Sequence, residues 1–171
     1  MKRHVAATLL VLTTLGILDA HLDIERQDGA YFLNVEGKKR DVAGMMRDQT
    51  NVWLRNCGSV TRVKTSSQLG LRALAAIQAY SPPDSREAGL VSLSKQDGWL
   101  IAEAEFANLN PAAILLQETP DSLDIADGAI WSGSAAPWKA GPLIRRYLGE
   151  RAPAAPKDLL ACFDPSSAAF E

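Results

Sequence analysis

Between Gly89 and Glu118 the hydrophobic period of the chain changes, and this stretch constrains the fold more than any other. Leu90-Val91-Ser92-Leu93-Ser94 reads as a strand, Gln96-Asp97-Gly98 as a turn, and Trp99–Phe106 (WLIAEAEF) as the returning strand. Asn108-Leu109-Asn110-Pro111 breaks that strand, Ala113–Gln117 (AILLQ) supplies a third, and residues 126–132 around Ile130-Trp131 supply a fourth. Connections this short join only antiparallel neighbours, because a parallel crossover needs a dozen or more residues. The core element is therefore a small, mostly antiparallel sheet of about four strands.

Helical spacing brackets this run on both sides. Over residues 39–57, Val42, Met45, Met46, Gln49, Val52, Trp53 and Cys57 recur at the spacing of one helix face, with Gly58 just past the end. That stripe is expected to be buried, with Cys57 one turn after Trp53. Residues 66–80 give a second helix, with Thr65, Ser66 and Ser67 as cap candidates, a stripe of Leu69, Ala73, Ala76, Ile77 and Tyr80, and Pro82-Pro83 as the stop. A third helix starts at Gly141-Pro142 and ends at Gly149, and a short last one covers residues 156–163. Near the N-terminus, Gln27-Asp28-Gly29 reads as a turn into a short strand at residues 30–35, closed by Gly37. Helices flanking consecutive strands joined by tight turns make an α+β domain.

The first 20 residues stand apart. Lys2 and Arg3 precede a run without charge from Val5 to Leu18, and Leu18-Asp19-Ala20 offers a cleavage site. This tripartite pattern resembles a bacterial secretory signal. At 14 residues the run is short for a membrane span of about 20. The domain organisation expected is residues 1–20 as signal peptide, with an uncleaved anchor as the alternative, and residues 21–171 as a single α+β domain. The location that follows is periplasmic or secreted, with inner-membrane anchoring as the alternative. Cys57 and Cys162 form an even pair, which in an oxidising compartment gives one disulfide; two separate buried thiols are the alternative.

Several chemistries are excluded by the residues present. A formal charge of −2 without a basic stripe argues against nucleic-acid binding. Only His4 and His21 are present, and both lie at the N-terminal end, so histidine-based nucleophilic catalysis and ordinary His-rich metal sites have no material in the domain. An amino-terminal His21 lacks the second imidazole that a copper brace needs. Glycine-rich phosphate loops are missing, so no nucleotide cofactor is expected, and no metal site either. Ser92 and Lys95 match an S-x-x-K spacing, but on a strand rather than at a helix start. Glu118, Asp121, Asp124 and Asp127 recur at spacing three, whereas calcium loops use alternate ligands.

The remaining candidates are binding residues. Glu103 and Glu105 point to one face of their strand, with Trp99 upstream on that face. Such carboxylates, about 6–7 Å apart, can run glycoside hydrolysis beside a sugar-stacking aromatic; the structural alternative is a solvated sheet face with Leu100, Ala102, Ala104 and Phe106 packing inward. Trp131 and Trp138 bracket a small turn-rich loop; if exposed, they are rigid anchors for a partner or a saccharide, and if buried, as is expected of at least one, they close the core over the C-terminal helix. The functional expectation is an exported, non-enzymatic protein-binding module with a protein partner in the cell envelope, such as an immunity protein, an inhibitor or a secretion-system accessory. The alternatives are a carboxylate-dependent glycan hydrolase and a membrane-tethered assembly factor that touches the membrane only through its N-terminal segment.

Overall fold

The computed structural model describes residues 22–27, 30–134, 140–166 and 170. The expected signal segment and Trp138 lie outside the described residues. The fold is α+β. A three-stranded antiparallel sheet comes first, from β1 (Leu22–Gln27), β2 (Ala30–Val35) and β3 (Lys38–Arg40). Helix α1 (Val42–Leu54) follows, then a 3₁₀ turn at Cys57–Ser59, β4 (Thr61–Arg62) and helix α2 (Gln68–Tyr80). The central run is β5 (Gly89–Gln96), β6 (Trp99–Glu105), β7 (Ala112–Glu118) and β8 (Leu123–Ser132), closed by α3 (Ala140–Arg151) and α4 (Lys157–Ala161). Strands β4 to β8 form one sheet in sequence order, every pair antiparallel.

Local chemistry explains the boundaries. Asp97 (φ 49°) and Gly98 (φ 77°) both adopt left-handed backbone, the two-residue hairpin turn that matches the twist of its strands. Glu36 and Gly37 (φ 51° and 79°) repeat the device between β2 and β3. Ser67 caps α2, its hydroxyl accepting from the Gly70 N–H at 3.1 Å. Asp41, buried, caps α1 and accepts from the Gly44 N–H at 2.6 Å.

The five-stranded sheet is covered on both faces. On one side Leu93, Leu100, Ala102, Ala104, Ala112, Ile114 and Leu116 pack under α2 through Ala73 and Ile77. On the other, Ile101, Ala113, Leu115 and Ala129 meet Ile144 and Leu148 of α3, Leu159 and Leu160 of α4, and then Phe163 and Phe170. The expectation of one solvated sheet face is thus corrected: β6 and β7 carry apolar residues at both odd and even positions, so they are driven to the middle of three layers.

Three helix expectations are corrected as well. Helix α1 ends at Leu54, so Cys57 lies in the following 3₁₀ turn and not on a helix face. The described residues of the α1 stripe expected in the core instead point outward. Val42, Met45, Met46 and Trp53 are exposed, while Gly44 and Asp41 are buried and Asn51 is half-buried. The helix rests against β2 and α3 through this small, polar side. The approach at the cap is close: a Cβ on Gly44 would collide with the Asp41 carboxylate. Tyr80, expected in the stripe of α2, is exposed, because the helix meets the sheet earlier, along Gly70, Ala73 and Ile77.

Candidate functional site

Glu103 sits mid-strand in β6, opposite Ala113 of β7 and Ser92 of β5. It is fully buried. A carboxylate out of water costs several kcal/mol unless hydrogen bonds compensate it, and here donors from two directions do so. The Ser92 hydroxyl donates at 3.0 Å. The Ser166 N–H lies 3.0 and 3.2 Å from the two carboxylate oxygens, and the Ser166 hydroxyl donates at 3.0 Å. Glu103 therefore fastens the segment after α4 onto the middle of the sheet.

The same segment is held at two further points. Arg145 of α3 is buried and donates from Nη1 to the Phe163 carbonyl at 2.7 Å. Burial lowers its pKa from the ordinary arginine value, and the neighbouring Asp164 carboxylate opposes that shift. Phe170 is buried against Trp131, ring centroids 5.6 Å apart. Trp131 and Trp99 are both half-buried and pack on the cluster beneath α3 and α4. Glu105, two residues beyond Glu103, is exposed. The structure thus gathers Glu103, Trp99 and Trp131 on one sheet face, but under α3, α4 and the C-terminal segment, not around an open cleft.

Cys57 and Cys162 form a disulfide, S–S 1.98 Å, with Cα atoms 5.7 Å apart. It ties the 3₁₀ turn after α1 to the end of α4. The S-x-x-K pair does not form a unit. Ser92 serves Glu103, while Lys95 pairs with Glu118 at 2.5 Å, since positions three apart on a strand face opposite ways. Arg72 approaches the same Glu118 at 3.4 Å. The hydrogen bond from Lys95 is the main reason the Glu118 pKa lies below the ordinary carboxylate value; burial partly opposes it. In the acidic loop, Asp124 accepts a short hydrogen bond from the Ser122 hydroxyl. Among the described residues, no group of three or more His, Cys, Asp or Glu converges as a metal site. No helix among them is long and apolar enough to cross a membrane.

Comparison with protein-family models, with curated proteins and with solved structures finds no match. A small cavity of about 60 Å³ lies between α1 and α3, lined by Tyr31, Asp41, Ala43, Gly44, Arg47, Pro142, Leu143 and Arg146. It has room for roughly four waters. The larger feature is the outer face of α1, which sequence reasoning placed in the core. Its signal was present: Gly44 and Asn51 offer a second, smaller contact side on the same helix. Nothing in the sequence marks Ser166 as a partner of the sheet or Arg145 as a partner of the segment after α4.

Proposed function

We propose that the chain is an exported, non-enzymatic protein-binding module of the cell envelope, and that α1 presents its contact face. The observation that carries this reading is the orientation of α1. An amphipathic helix normally turns its apolar stripe to the core; this one turns Met45, Met46, Trp53 and Leu54 to solvent. Tryptophan and methionine are enriched at protein contacts, and a contiguous exposed apolar patch marks such a surface. The disulfide supports export, because such bonds persist in oxidising compartments. The apolar N-terminal run supports the same address. The glycan-hydrolase alternative needs Glu103 or Glu105 in a cleft with Trp99. Glu103 is buried beneath Ser166 instead, so the geometry does not favour it.

The test is a site-specific photo-cross-linker placed at Trp53 in intact cells, with the same probe at exposed Tyr80 as control. A discrete protein adduct from position 53 alone is expected. No adduct at position 53, or the same pattern from both positions, would overturn the reading.

A further inference from the structure

The exposed residues of α1 have a spacing that specifies what can lie on them. Val42, Met46, Gln49 and Trp53 are separated by four, three and four positions, the a/d repeat of a two-helix seam. All four are exposed, with Met45 on the flank. Such a seam buries itself against another helix, knob into hole, and Gln49 supplies the single polar position that fixes register in natural helix pairs.

Pairing α1 with itself has one sterically sound direction. In a parallel pair, Trp53 would meet Trp53 and Val42 would meet Val42, crowding one layer and leaving the other underfilled. In an antiparallel pair, Val42 lies opposite Trp53 of the second copy and Met46 opposite Gln49. Every layer then joins a small or polar residue to a large one. Relative exposures are 41% for Val42, 54% for Met45, 68% for Met46, 80% for Trp53 and 79% for Leu54. Without Leu54, which at 100° per residue points away from the seam, these leave roughly 500 Å² of surface on each copy, or about 1,000 Å² in a pair, the least that a specific interface needs.

We infer that α1 is the interface of a homodimer, in which the helix packs antiparallel on α1 of a second copy about a two-fold axis between residues 47 and 48. The inference rests on the reading of α1 as a protein-contact face and names the occupant of that face. A two-fold axis makes the contact self-complementary, which a stripe with small residues at one end and large ones at the other requires.

Sedimentation of the purified exported protein, its N-terminus read by intact mass, tests this directly. The expected result is twice the chain mass at tens of micromolar. Trp53→Asp and Met46→Glu should each return it to the mass of one chain, with the far-UV spectrum and the disulfide unchanged, because both side chains are exposed. Mixing Met46→Glu with Gln49→Lys should restore the pair, since the two new charges face each other across the axis. A one-chain mass up to about 200 µM, or a dimer indifferent to both acidic variants, would overturn the inference. A monomer that still gives a discrete adduct from position 53, with a different protein, would overturn the homodimer and leave the contact-face reading standing. A monomer with no such adduct would remove both. Binding of the monomer to phosphatidylglycerol vesicles, lost in Trp53→Asp, would assign the face to lipid and overturn the homodimer.

Discussion

Replacing Glu103 by alanine removes the acceptor that holds Ser166 and Ser92 together in the middle of the sheet. Hydrogen bonds to a charged group contribute about 1.5–3 kcal/mol each, and donors left without a partner in the interior cost more than the bond alone. Ser166 is itself exposed, so its N–H and hydroxyl can regain water once the segment loosens. Ser92 is half-buried and recovers less. The balance puts Glu103→Ala at about 3 kcal/mol of lost stability. Glu103→Gln keeps an acceptor oxygen for the Ser166 N–H and turns the other position into a donor that rotated hydroxyls can accept, so it should cost only about 1 kcal/mol. Ser166→Ala should cost about 1 kcal/mol in the native background and almost nothing after Glu103→Ala, a coupling that a double-mutant cycle reads directly. The assay is urea unfolding with the disulfide intact, joined to hydrogen exchange at the Ser166 amide. Protection of that amide should fall in Glu103→Ala while amides in β6 and β7 stay protected. If Glu103→Ala unfolds within 0.5 kcal/mol of wild type (about the usual spread for a surface change) and the Ser166 amide is unaltered, the anchoring role is refuted. A hydrolase would behave differently: Glu103→Gln would keep its stability and lose turnover of a glycan.

Two more outcomes follow from the same contacts. Replacing both cysteines by serine frees a loop closed across 105 positions, which in the chain-entropy model removes about 4–5 kcal/mol; an unfolding midpoint unchanged by reduction would contradict this. The lowered pKa of Glu118 means that it stabilises the fold fully above the unfolded carboxylate range, and that this contribution is lost as pH falls through its folded value. Lys95→Met should therefore flatten part of the acid limb of stability against pH, by less than about 1 kcal/mol for a pair this close to the surface. An acid limb identical to wild type would show that the pair adds nothing.

Much of the fold is legible in the sequence because it follows from near neighbours. Asp97-Gly98 favours left-handed backbone at both positions, so two adjacent residues suffice to place the β5–β6 hairpin. Ser67 competes for a helix N–H, and Pro82-Pro83 cannot continue a helix, so α2 is bounded within two residues. The pairing of Cys57 with Cys162 follows from there being two cysteines and an export-like N-terminus. The strands β1 and β3 are less visible, being short, polar and dependent on β2 for their hydrogen bonds.

What the sequence alone determined, then, is the local alphabet of this protein: where strands turn, where helices start, and that the strands from β5 onward run antiparallel. Only the tertiary structure decided which faces meet. Periodicity reports that α1 has an apolar stripe, but a helix with Gly44 and Asn51 on its other side can pack either way, and the buried Asp41 cap chose the second. Likewise Glu103 and Glu105 look equivalent along a strand. One is buried under a segment more than sixty residues later, and the other reaches water. Hydrogen bonds and packing across such distances leave no local trace, because the energies that fix them belong to pairs of residues and not to positions.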